Sequence, residues 1–189
     1  MKKMLLIILM LLLCSCAKQN GVNYTYDIQS DRVDMSAYSG VSSTNHNFKL
    51  IVPSELYKCI ENKSSGIFYL GRNNCGCCQK VCKYINEVAK ELNVTVYYID
   101  VFNEDEPLTV KANQDRLYEY MLDILGVDEN GEKVLLTPQV FSVVNGEFYD
   151  SLICYDGIEM DSVPTSQQIE VLKNKYRNIM KPFSSSKSS

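Results

Sequence analysis

Between residues 48 and 180 the apolar positions alternate between short runs and longer stretches with helical spacing. FKLIV (48–52) reads as a short strand, and Pro53-Ser54-Glu55 then opens a helix to about Asn62. GIFYL (66–70) has the length and composition of a buried strand. A turn over 71–74 leads to a helix spanning about 75–92, with Val81, Ile85, Val88, Ala89 and Leu92 along one face. VTVYYIDV (94–101) is the next strand, so strand, helix and strand form a βαβ unit with a parallel pair. Further on, a helix is expected over 113–125, stopped by Gly126, and an acidic loop follows. Residues 139–144 and 147–155, joined by Asn145-Gly146, have the pattern of a hairpin. A last helix begins near Pro164 or Thr165, which can cap it, and runs to about Met180.

The two ends follow other patterns. Lys2 and Lys3 precede an apolar run over 4–13, which is too short for an ordinary transmembrane helix and reads as a signal peptide. It ends in Leu13-Cys14-Ser15-Cys16, which resembles a bacterial lipobox with Cys16 as the lipid-bearing first residue of the mature chain. Cys14 fits that role less well, because Leu13 would then precede the cleavage site where a small residue is wanted. Two acyl chains would hold the protein on the outer face of the cell membrane, since each buried methylene contributes about 0.8 kcal/mol. Residues 17–47 are rich in Ser, Asn, Asp and Tyr without sustained periodicity, and read as a polar tether with a short strand near 24–28. Residues 182–189 read as a frayed tail, which leaves 48–181 as the folded domain.

The chain has 189 residues, 46% of them hydrophobic, enough for one domain with an ordinary core, so disulfides are not required for folding. A net charge of −4 argues against the basic surface that nucleic acid requires. The chemistry lies in NNCGCCQKVC (73–82), which carries Cys75, Cys77, Cys78 and Cys82. Cys75 and Cys78 have C-x-x-C spacing at a strand-to-helix junction. There the free N–H groups and macrodipole of the helix favour a thiolate on the first cysteine. Cys75 is then the nucleophile towards a substrate disulfide, and Cys78 resolves the mixed disulfide. Cys82 falls on the same helix face, and these thiolates with Cys77 form an alternative site for copper(I) or zinc. Against that alternative, the single histidine, His46, lies in the expected tether, and no second C-x-x-C exists. Cys59 and Cys154 are buried thiols, or pair with each other or with Cys82. Arg72 is placed where it could support a thiolate.

IFYLGRNNCGCC with its helix, then VTVYYIDV, then LLTPQVFSVVNGEFYDSL, resembles the thioredoxin superfamily from central strand to hairpin. The resemblance implies an α/β thioredoxin fold: a central mixed sheet flanked by helices, with Thr137-Pro138 as the cis-proline that shapes the substrate groove. It also implies thiol–disulfide exchange with proteins or peptides through Cys75 and Cys78, with no cofactor. Within that superfamily the motif is similar to the bacteriocin transport accessory proteins of Gram-positive bacteria, which implies a place near a peptide exporter. A non-catalytic docking role on the same fold is the remaining alternative. The departures are local. Asn74 stands where thioredoxins carry Trp, Tyr69 lies near the place of their buried Asp, and Gly76-Cys77 replaces Gly-Pro. Residues 103–132 form a longer spacer than a minimal thioredoxin has, with tyrosines and acids suited to a partner surface.

Overall fold

A computed structural model describes residues 21–154 and 162–184. The expected signal peptide, Cys16 included, and residues 185–189 lie outside the described part. In chain order the elements are β1 (Phe48–Ile51), α1 (Pro53–Glu61), β2 (Gly66–Gly71), α2 (Gly76–Leu92), β3 (Val96–Asp100), α3 (Lys111–Met121), β4 (Gly126–Val127), β5 (Lys133–Val134), β6 (Gln139–Val144), β7 (Glu147–Ile153) and α4 (Ser166–Met180).

β2 is buried at all six positions, as its unbroken apolar run requires of a strand covered on both faces. It lies at the middle of a five-stranded sheet in the order β1-β3-β2-β6-β7. β1, β3 and β2 run parallel, while β6 and β7 are antiparallel to their neighbours. Alternation along each strand divides the core in two. Ile67, Tyr69, Val96, Tyr98 and Val140 face one side with α2 and α4; Phe68, Leu70, Ile99, Phe141 and Val143 face the other with α1 and α3. The strand order sets this division. The β1-to-β2 crossover steps one way across the sheet and the β2-to-β3 crossover steps back, so two right-handed connections place α1 and α2 on opposite faces.

The helix ends follow local chemistry. Pro53 opens α1, Asn93 closes α2 in the left-handed conformation, and Thr165 forms a capping box with Gln168 at the start of α4. Lys173 and Arg177 of α4 pair with Glu87 and Glu91 of α2, holding the two helices side by side. The Asn145-Gly146 turn has positive φ at both residues (56° and 85°), as a two-residue hairpin requires.

Two expectations are corrected. Residues 21–47 are not a free tether. Met35, Tyr38 and Val41 are buried in the core on the α2 side, and Ile28 in the core on the α1 side. The segment passes around the outer edge of β1, where Asp31 exchanges backbone hydrogen bonds with Leu50 (2.9 and 3.0 Å). A polar chain packs here because its few apolar residues insert singly and its polar groups find partners. Buried Glu55 accepts from the Tyr26 hydroxyl (2.7 Å) and the Gln29 N–H (2.8 Å), and the Asn47 amide donates to the carbonyls of Ala89 and Val94. The strand expected near 24–28 does not form. The spacer at 103–132 turns its tyrosines inward. Tyr120 stacks on Tyr57 of α1 at 4.4 Å, Arg116 lies over the same Tyr57 ring, and the Tyr118 hydroxyl accepts from the Leu135 N–H. Both tyrosines are thereby half-buried, while Asp115 and Glu119 beside them stay exposed. At the other end, Pro182 and Phe183 extend α4 by a 3₁₀ turn, and Phe183 packs on the core.

Candidate active site

Cys75 is the N-cap residue of α2, with extended backbone (φ −96°, ψ 118°) at the point where β2 hands over to the helix. Its Sγ therefore points back over the first turn and accepts the Cys78 N–H at 3.3 Å, one of the donors that every helix start leaves unpaired. Against it lies Thr137, joined to Pro138 by a cis peptide bond as expected. The Thr137 hydroxyl lies 3.7 Å from the Cys75 sulfur and its carbonyl oxygen 3.6 Å. The hydroxyl can donate to a thiolate and the carbonyl can accept from a thiol, so this residue contacts Cys75 in both protonation states.

Burial opposes ionisation of Cys75, but donation from the Cys78 thiol, the Cys78 N–H, the Thr137 hydroxyl and the Cys77 N–H outweighs it, and its pKa lies below the ordinary cysteine value. Cys78, fully buried one turn in, behaves oppositely. Burial first, and then the hydrogen bond it gives Cys75, push its pKa up to about 12. The acidities of the two neighbouring thiols are thus driven apart, with Cys75 the more readily ionised of the two. Replacing Thr137 with Val removes one of the donors to the thiolate, and the Cys75 pKa should rise towards the ordinary value. The check is the pH profile of Cys75 alkylation. Its midpoint should move to higher pH and its rate at neutral pH should fall, with Cys78 unaffected.

Among the described residues no carboxylate is a cause of the Cys78 shift. In its place stands Tyr69, whose ring folds over Gly71, where a Cβ would come within 2.5 Å of the phenol. The buried Tyr69 hydroxyl has no oxygen or nitrogen partner; its neighbours are the Cys78 and Cys82 thiols, whose ionisation it favours against the larger effect of burial. Arg72 does not support Cys75 through its side chain. Its guanidinium lies over the Phe102 ring (5.9 Å), while its carbonyl accepts the Cys75 N–H at 3.3 Å.

All six cysteines among the described residues are thiols. Cys77 is buried beside Cys75; burial, and then the Cys75 charge, raise its pKa. Cys82 lies fully buried in the α2-side core and Cys59 in the α1-side core, so the sheet separates them, and Cys59 is a buried thiol, the first of the two readings of the sequence. Cys154 lies beside the site: its N–H donates to the Pro138 carbonyl (2.7 Å) and its thiol to the Thr137 carbonyl (3.6 Å). The hairpin pattern held the signal for this, because counting back from the Asn145-Gly146 turn sets residue 154 opposite Thr137-Pro138. Among the described residues no group of three or more His, Cys, Asp or Glu side chains is placed to hold a metal ion. His46 is occupied elsewhere, near the carbonyls of Val33 (3.0 Å) and Ser43 (3.2 Å).

No protein-family model matches the chain, and no curated protein matches it either. Solved structures do resemble it. Thioredoxin O2 of Arabidopsis thaliana in the oxidised state is 14% identical, with 75% of this chain and 98% of that one covered and a TM-score of 0.43. For oxidised thioredoxin O1 of the same plant the values are 15%, 70%, 97% and 0.41, and for the oxidised thioredoxin of Plasmodium falciparum 16%, 67%, 95% and 0.39. The strand order β1-β3-β2-β6-β7, with C-x-x-C at the start of α2 and a cis-proline leading into the hairpin, decides the architecture. The chain has a thioredoxin fold. Within that fold the site is the meeting place of the β2–α2 turn, the cis-proline turn and the end of β7, three segments that the sheet brings to one end of its strands.

Proposed function

We propose that the protein is a thiol–disulfide oxidoreductase that exchanges its Cys75 and Cys78 thiols with disulfides of proteins or peptides. The observation that carries this reading is the Cys75 Sγ held at the helix N-cap, 3.3 Å from the Cys78 N–H and opposite the Thr137 hydroxyl, with the protonated Cys78 behind it. The Cys75 thiolate attacks one sulfur of the substrate disulfide, and the other sulfur leaves as a thiolate and takes up a proton. Cys78 then loses its proton and attacks the Cys75 sulfur. The substrate departs as a dithiol and the site keeps a Cys75–Cys78 disulfide. Two electrons pass through the cysteine pair, so no cofactor is needed. The Tyr69 phenol and the Arg72 N–H, which both favour the ionised Cys78, assist that second step against burial.

The setting proposed for this chemistry is the outer face of a cell membrane, with Cys16 lipid-modified. The support is Lys2-Lys3, the apolar run after them and the LCSC ending. A substrate class that fits this place is exported peptides with cysteines, in line with the resemblance to bacteriocin transport accessory proteins.

The test is a glutathione redox titration of the metal-free protein, with cysteine states mapped by alkylation and mass spectrometry. Reversible pairing of Cys75 with Cys78 is expected, and the midpoint tells reductant from oxidant, since 30 mV corresponds to about 1.4 kcal/mol. If Cys75 and Cys78 never pair, the assignment fails.

A further inference from the structure

We propose that Cys154 is a second resolving thiol, able to release Cys75 from a mixed disulfide from the groove side by forming a Cys75–Cys154 disulfide. The proposal rests on the exchange reading above. Its basis is a single oxygen: the Thr137 carbonyl is 3.6 Å from the Cys75 Sγ and 3.6 Å from the Cys154 Sγ, so the two sulfurs lie within twice that distance of each other. A bond between them requires rotation about χ1 of the two side chains to bring the sulfurs together. The backbone on both sides is anchored. β6 and β7 pair up to Gln139 and Ile153, and the Cys154 N–H continues the ladder to the Pro138 carbonyl. Cys154 has φ +55°, a left-handed conformation that favours glycine, yet the position carries a thiol facing the groove.

Cys154 and Cys78 approach Cys75 from different sides. Cys78 is fully buried, whereas Cys154 is partly exposed. Burial, and then the charges of Cys77 and Cys75, raise the Cys154 pKa, while burial drives that of Cys78 to about 12. In the proposed step the Cys154 thiolate attacks the Cys75 sulfur of the Cys75–substrate disulfide. That disulfide breaks, the substrate leaves as a thiolate and takes up the proton that Cys154 gave up, and the Cys75–Cys154 bond forms. The pair has lost two electrons and the substrate disulfide has gained them. Cys78 can then attack Cys75, freeing Cys154 and leaving the Cys75–Cys78 disulfide, with no outside oxidant.

The experiment uses the full chain as Cys78→Ser and as Cys78→Ser with Cys154→Ser. Each, fully reduced, is treated with oxidised glutathione, and the Cys75–glutathione adduct is followed by mass spectrometry. In the single variant the adduct should decay at least ten times faster than in the double variant, with Cys75–Cys154 as the mapped product. Cys154→Gly, which suits the left-handed backbone, repeats the double variant without a serine in the turn and should match it. Equal adduct lifetimes, or decay to a Cys75–Cys77 product, would overturn the role of Cys154 and leave the exchange reading standing. If glutathione forms no adduct with Cys75 even in the double variant, the exchange reading itself fails and the proposal fails with it.

Discussion

Cys75→Ser is expected to bring disulfide reduction down to the uncatalysed rate and to abolish the mixed disulfide with substrate, while the domain stays folded. The nucleophile in exchange is a thiolate, and a serine hydroxyl does not ionise at working pH. The fold should not suffer, because position 75 is an N-cap whose side chain accepts from the Cys78 N–H, and serine is among the preferred residues there. The combination separates chemistry from stability. An insulin-reduction assay beside a thermal melt reads both, and residual reduction well above background with an unchanged melt would reject Cys75 as the nucleophile. Partner capture gives a third readout. Under a purely docking role Cys75→Ser would hold its partner as well as the wild type and no activity would have been present to lose.

Met35→Ala should destabilise the protein by about 2–5 kcal/mol, the cost of truncating a fully enclosed methionine. For a free tether the same change would cost almost nothing, because an exposed side chain loses neither contacts nor burial. Met35 is fully buried in the α2-side core together with Tyr38, whose hydroxyl is 2.8 Å from that of Tyr98 on β3. Urea unfolding of wild type and variant measures the difference. A shift below about 0.5 kcal/mol would mean that residues 21–47 do not form part of the cooperative unit. The result also bears on activity. The segment covers the sheet beside Tyr69 and Tyr98, and the rings of Tyr38 and Tyr69 meet edge to face at 6.3 Å, so loosening it would disturb the wall behind Cys78.

The elements that carry the site were legible because their signals are local. An unbroken apolar run marked β2 and period-3.6 spacing marked α2, and the handover between them put Cys75 at a helix N-cap, where free N–H groups favour a thiolate. The Asn145-Gly146 turn marked the hairpin, and the cis-proline came with the resemblance. The core of residues 21–47 left no such trace, since Ile28, Met35, Tyr38 and Val41 insert one at a time from irregular backbone and so have no period to detect. The fates of Cys59, Cys82 and Cys154 likewise depended on strand order. Periodicity tells which residues share a face of one element, but which face an element covers depends on the direction in which its crossover steps across the sheet. That direction placed Cys59 and Cys82 on opposite sides of the sheet. From the sequence alone came the elements, the C-x-x-C and the helix end that activates it. Only the tertiary structure brought the Thr137 carbonyl, and Cys154 with it, to Cys75, because β6 pairs with β2 across the sheet.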